Sequence, residues 1–240
     1  MSTDTLGLRE QKKRETRQAI SDHATQLFLQ RGFDRTTIAD IATAARVAKM
    51  TVTNYFPRKE DLALDHHEEF AAGLARTVAN RPAGESALGA VRRAYLAALA
   101  RRDPVIGFTG REFAQMIAES PTLVARLRDL HDQREEGLAR QLAHEEPGDP
   151  VAARAVAAQL AGADRLLFRE LQARMLADDQ APAARADAPE AGQGARATHQ
   201  GARAAGGTTA RDEGIAAELG EIARRVFDLL EPAIGGYAVR

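Results

Sequence analysis

The chain is predicted to be all-α, with an N-terminal three-helix domain containing a helix-turn-helix, followed by a larger helical bundle. Three observations predict helix. Ala, Leu, Arg and Glu dominate the 240 residues, and these types fit helices at little cost. Apolar residues recur with helical spacing, and no segment alternates with period two. Helix punctuation recurs along the chain, at Gly32, Thr37, Pro57 and Pro121.

The elements follow in order. The first eight residues are expected to form a loose arm. A helix is predicted from about Arg9 to Arg31, where Ile20, Ala24, Leu27 and Phe28 share one face. Gly32 stands where a left-handed residue ends a helix, and Phe33 can fold back onto that face. Thr36 or Thr37 is a candidate N-cap, with Asp40 the capping-box acid for Thr37. Ala45-Arg46-Val47 reads as a turn, and a second short helix covers about Ala48 to Tyr55. Pro57 stops it. Arg58-Lys59-Glu60-Asp61 opens a long helix predicted to run to about Val78. Further helices are predicted over 85–101, 109–118, 121–145, 150–177 and 213–231.

Between Leu176 and Ile215 there is no Val, Ile, Leu, Met or aromatic residue. Such a segment cannot bury enough apolar surface to offset its conformational entropy. About 179–212 is therefore predicted to be a low-complexity loop. Its Gly and Pro spacing argues against helix.

Composition narrows the function classes. Hydrophobic residues make up 44% of the chain, enough for a core, but aromatics are only 5% and Trp is absent. No cysteine is present, so disulfide and thiolate-metal chemistry are excluded. No stretch approaches the apolar length of a membrane span, so a cytoplasmic chain without a membrane partner is expected. Net charge is −1, but unevenly spread. Residues 1–60 hold 11 Lys+Arg and 7 Asp+Glu, and the remainder 22 and 27. All four lysines, Lys12, Lys13, Lys49 and Lys59, lie in the first sixty residues. A basic head on an acidic body suits a polyanion partner at one end.

The segment from Thr36 to Lys59 is the most informative. A helix-turn-helix sets its second helix in the DNA major groove. Over 48–55, Val47, Val52 and Phe56 are spaced to pack inward. Lys49, Met50, Thr51, Thr53 and Asn54 are then left for DNA. Lys49 suits guanine O6 or N7, Met50 a thymine methyl, and Thr53 or Asn54 bases or phosphates. Thr37, Arg46, Tyr55 and Lys59 are candidate backbone contacts. Arg9, Lys12, Lys13, Arg14 and Arg17 are either a solvated face or further phosphate contacts.

Three blocks, TRQAI (16–20), LFLQRGFDRTTIADIA (27–42) and VAKMTVTNYFPRKEDL (47–62), stand in a specific order and spacing. Residues 14–74 thereby resemble the DNA-binding domain of the TetR family of one-component transcriptional regulators, with the helix-turn-helix at about 37–56. The resemblance covers about a quarter of the chain. It implies that 75–240 is a regulatory, effector-binding and dimerisation domain. It further implies a homodimer on a double-stranded palindromic operator and a repressor released by a small-molecule effector. Positions matching Thr37, Tyr55 and Lys59 commonly contact the DNA backbone in that family. The chain departs from the pattern at Arg46, where Gly is usual, and at Ala48, where Ser or Thr is usual. Arg46 is expected in a left-handed conformation and Ala48 without a capping bond.

Other constellations are weaker. The histidines lack metal-ligand spacing, and no nucleophile elbow, phosphate loop or dinucleotide fingerprint occurs, so no metal, cofactor or enzymatic role is expected. Tyr95, Phe108, Phe113, Met116 and Phe168 are either core or the lining of an effector pocket, which periodicity does not separate. The alternative reading is a helical small-molecule-binding enzyme or carrier whose basic head is incidental.

Overall fold

The computed structural model describes residues 3–177 and 205–239. Among them there is no strand. The head comprises α1 (Thr3–Arg31), α2 (Ile38–Ala44), α3 (Lys49–Tyr55) and the short α4 (Lys59–Ala63). The body comprises α5 (His67–Ala79), α6 (Ala87–Ala100), a 3-10 helix (Pro104–Ile106), α7 (Arg111–Glu119), α8 (Pro121–Glu145), α9 (Pro150–Leu176) and α10 (Ala205–Ile234).

The head's helix ends form where the residues require them. Gly32 has φ +84° and donates its N–H to Phe28 O at 2.8 Å, closing α1. Phe33 folds back so that its ring centroid lies 5.1 Å from that of Phe28. Thr36, fully buried, donates its hydroxyl to Gly32 O at 2.9 Å, so Thr37 is left as the N-cap of α2. At the other end of α2, Arg46 N–H bonds Thr43 O and Val47 N–H bonds Ala42 O, a Schellman closure. The same closure recurs after α6, where Arg102 also has positive φ.

Two cores follow. In the head, Ile20, Phe28, Ile41, Val52, Phe56 and Leu62 are sealed from solvent. Burying an aromatic such as Phe28 or Phe56 contributes roughly 1.5–3 kcal/mol. Met116, Ile117 and Leu123 of α7 and α8 belong to this same cluster, so the head's core is completed by the body. The second core joins α5, α6, α8, α9 and α10, with the rings of Tyr95 and Phe227 6.2 Å apart.

Three boundaries differ from expectation. α1 begins at Thr3 rather than near Arg9. With the helix anchored by its packed half, each added residue closes another hydrogen bond at low cost. The long helix expected from Arg58 to Val78 is broken. Leu64 takes φ −109° and ψ 56°, and the chain restarts at His67. No Gly or Pro marks the break. It is held from α1, where Ser21 Oγ bonds Asp65 Oδ2 at 2.5 Å and Arg17 Nη2 donates to Asp65 O at 3.2 Å.

The third difference is α10, which starts at Ala205, inside the loop expected over 179–212. Arg211 donates to the carbonyls of Arg174 and Ala177 at the end of α9, at 3.1 and 2.6 Å. That tertiary capping supports a segment whose own composition would not hold a helix. The rest of the expected loop lies outside the described residues.

Candidate nucleic-acid interface and body cavities

α3 is divided by burial. Val52 and Phe56 are 0% and 1% exposed, and Val47 is half-buried against the same core. Lys49 and Asn54 are exposed, and Met50 is 70% exposed, a conspicuous position for so apolar a side chain. Thr51 and Thr53 are half-buried, and Thr53 donates its hydroxyl to Met50 O at 3.1 Å. The outward surface of α3 is thus Lys49, Met50 and Asn54, with the two threonines at its edges.

The turn ahead of α3 carries both departures from the family pattern. Arg46 has φ 55°, the left-handed region that a side chain enters at a cost of roughly 1–2 kcal/mol. Its side chain is exposed. Ala48 is the N-cap of α3, with φ −70° and ψ 147°, and no side chain bonds the helix start. Both expectations held.

Thr37 is more committed than the sequence implies. Its hydroxyl donates to Asp40 Oδ2 at 2.6 Å and accepts from Asp40 N at 3.2 Å, while its N–H reaches the same carboxylate at 2.8 Å. These bonds hold the Asp40 carboxyl below its ordinary range. A phosphate at Thr37 would therefore have to compete with Asp40 for its donors.

Lys59 lies partly over the Phe33 ring, with Nζ 4.2 Å from the centroid, and donates to Asp34 O at 3.4 Å. Burial pushes its ammonium pKa down, against the pull of Asp34 and Glu60. Tyr55 is half-buried against the head core. Arg17 is turned inward, its guanidinium carbon 4.6 Å from the Phe56 ring centre, so the phosphate reading does not suit it. Arg9, Lys12, Lys13 and Arg14 are exposed along α1.

The five aromatic and Met candidates of the body do not share one site. Phe108, Phe113 and Phe168 line a cavity of about 340 Å³ with Phe70, Leu127 and Leu130. It lies against the α4–α5 break, and Leu64, Asp65 and His66 form part of its wall. Tyr95 lines a different cavity of about 440 Å³, beside Arg134 and Asp164. Its hydroxyl is buried without a partner, and burial, then the nearby Asp164, raises its pKa. Met116 lines neither. It packs in the head core and faces a cleft beside Phe28 and Phe33. Helical spacing could not separate these three destinations, because each depends on which helix lies opposite.

The residues that the sequence reading missed join head to body. Asp61 of α4 pairs with Arg126 of α8, and Asp65 receives Ser21. Their partners lie 65 and 44 positions away, respectively, so no local pattern marks them. Among the described residues no cluster of His, Cys, Asp or Glu could hold a metal ion, and no helix is long and apolar enough to cross a membrane.

Residues 20–65 match the model of the family described as bacterial regulatory proteins, tetR family. The HTH-type transcriptional regulator TcmR of Streptomyces glaucescens is 33% identical over 148 residues, covering 60% of this chain and 66% of that protein. The HTH-type transcriptional repressor DhaR of Mycobacterium sp. (strain GP1) is 36% identical over 64 residues, covering 27% of this chain and 32% of that protein. The chain thus spans just under two thirds of the first relative and about a third of the second. Among solved structures, GusR of Salmonella enterica aligns over 89% of this chain and 96% of its own at 16% identity, with a TM-score of 0.44. The family model matches the segment that forms the helix-turn-helix, and the TcmR likeness extends well beyond it. The helix-turn-helix segment of the chain, residues 20–65, belongs to the tetR family of bacterial regulatory proteins.

Proposed function

We propose that the chain is a sequence-specific DNA-binding transcriptional regulator, a repressor that leaves a palindromic operator when a small molecule enters its body. The observation that carries this reading is α3, buried through Val52 and Phe56 and open to solvent through Lys49, Met50 and Asn54. That arrangement suits a recognition helix in a major groove. Lys49 would read guanine, Met50 a thymine methyl, and Asn54 a base edge or phosphate. Arg46 before α3, Tyr55 at its end and Lys59 after it would hold the DNA backbone, with Thr37, Thr51 and Thr53 at its margins. Tyr95, Phe108, Phe113 and Phe168 line two body cavities that could take an effector.

Dimerisation belongs to the same proposal. Leu166 of α9 and Leu229 of α10 are 47% and 80% exposed, and Val226 and Leu230 lie beside Leu229 half-buried. Apolar exposure on the last two helices supports a second copy packing there, which would place two α3 helices on successive half-sites. The alternative of a carrier or enzyme accounts for the cavities but gives the exposed face of α3 no task.

Selection of bound duplexes from a random pool, followed by footprinting, tests the reading. Enrichment of an inverted repeat is expected. A pool that remains random after several rounds, in a chain shown to be folded, would overturn it.

A further inference from the structure

The apolar cavity beneath the α4–α5 break has a lining that restricts its occupant. Four phenylalanines, Phe70, Phe108, Phe113 and Phe168, face it, and among the described residues no Lys or Arg does. Its ionisable wall residues are Asp65, His66 and His67. Asp65 is bonded to Ser21, and His67 Nδ1 lies 2.9 Å from Leu64 O. An anion would thus lose its hydration without gaining a fixed cation in return. One polar atom in the wall is unpartnered. Thr109 Oγ1 is buried and has no hydrogen-bond partner. That oxygen is closed off from the cavity as well as from solvent, so the Thr109 side chain would have to rotate to present it to an occupant's oxygen or nitrogen, which would recover the roughly 1–3 kcal/mol that a buried unpartnered hydroxyl costs. The volume, about 340 Å³, falls at the small end of the range for ligand sites, roughly 300–1,000 Å³.

The same cavity touches the head through one knot. Leu64, Asp65 and His66 are wall residues, and Asp65 is the residue that Ser21 and Arg17 of α1 hold. Thr25 of α1 also lines the cavity. Gly107, with φ +114°, brings the opposite wall close enough for Gln172 Nε2 to bond its carbonyl at 2.9 Å, and a Cβ there would meet Gln172 Nε2 at 2.8 Å. That wall is therefore built tightly, whereas the Leu64–His66 wall is irregular backbone. An occupant that displaces a wall would displace the irregular one.

We propose that this cavity takes an uncharged, mostly aromatic molecule of a few rings bearing one hydrogen-bonding atom for Thr109, and that its entry is passed to the head through the Asp65–Ser21 bond. The second half rests on the DNA-binding reading above, and the first does not. A ligand shifts the head only by binding one arrangement of the break better than the other, so the knot is where that difference is spent.

The test uses the full chain, which lacks Trp and leaves a clear optical window. The probes are 1-aminoanthracene, neutral at pH 7, and anthracene-1-carboxylate, an anion of similar shape. Saturable fluorescence enhancement is expected from the neutral probe, with at least tenfold weaker binding of the anion. Phe113→Trp, which narrows the cavity, should weaken the neutral probe tenfold, and Thr109→Val, which keeps its shape, should weaken it by a smaller factor. Equal affinity for the two probes, or no effect of Phe113→Trp, overturns the ligand assignment. DNA selected as above then reports the coupling. The neutral probe should release wild-type protein, whereas Ser21→Ala should bind the probe with unchanged affinity and resist release. Release of Ser21→Ala at the wild-type probe concentration overturns the coupling. Absence of DNA binding by the folded wild type, with probe binding intact, overturns the regulator reading and the coupling while leaving the cavity assignment standing.

Discussion

The carboxylate of Asp61 and the guanidinium of Arg126 form an ion pair at 2.8 Å, with side chains 6% and 10% exposed. Asp61 stands in α4, two residues after Lys59, and Arg126 stands in α8. The pair therefore fastens the helix nearest the proposed DNA clamp to the body. Breaking one half leaves an uncompensated charge in the interface. Asp61→Ala or Arg126→Ala is expected to cost about 3–5 kcal/mol, with much of the loss recovered when both are replaced by apolar residues. Urea unfolding checks this, and a single variant as stable as wild type would refute it.

The turn before α3 is built below its attainable stability. Arg46 holds a left-handed φ of 55°, and Ala48 offers no cap. Arg46→Gly is expected to gain about 1 kcal/mol by removing Cβ strain. Ala48→Ser should add about 1 kcal/mol by supplying the missing acceptor. Midpoints of denaturant unfolding measure both. If Arg46 also contacts phosphate, Arg46→Gly will be more stable yet bind DNA more weakly.

DNA contacts separate by their salt dependence. Lys49→Ala is expected to weaken the selected site by about 1–3 kcal/mol and relax preference at one base pair. Lys59→Ala should weaken all duplexes alike and reduce the slope of log K against log salt by about 1. A Tyr55→Ala/Lys59→Ala double variant with wild-type affinity would remove both residues from the clamp.

Acid sensitivity has a defined source in the body. His131 is 6% exposed between the rings of Phe70 and Phe168, and burial lowers its pKa from 6.5 to about 4, with Asp164 opposing and Arg134, Arg165 and Arg169 assisting. The unfolded chain therefore binds the proton first as pH falls. The contribution is complete above about pH 6.5 and is lost progressively down to about pH 4, amounting to about 3 kcal/mol if the full shift is realised. His131→Leu should flatten the stability profile across that window. An unchanged profile would assign the acid sensitivity to other groups.

Much of the head was legible because its signals are local. Gly32 ends α1, Thr37 and Asp40 close a capping box, Arg46 takes positive φ, and Val52 and Phe56 turn inward. Each of these is decided within a few residues by sterics or by a bond of short reach, so a sequence alone determines it. The division of α3 into buried and exposed faces belongs to the same class.

What only the tertiary structure decided lies where distant chain segments meet. The helix after Lys59 breaks at Leu64 although no residue there is a breaker, because Ser21 and Arg17 hold Asp65 from another helix. α10 extends back to Ala205, where Arg211 reaches the end of α9. The apolar candidates Tyr95, Phe113 and Met116 look alike in sequence, yet they fall into two cavities and the head core. A helical stripe says which residues turn away from water. It does not say whether another side chain or an open space lies opposite, since that depends on helices brought together from far along the chain.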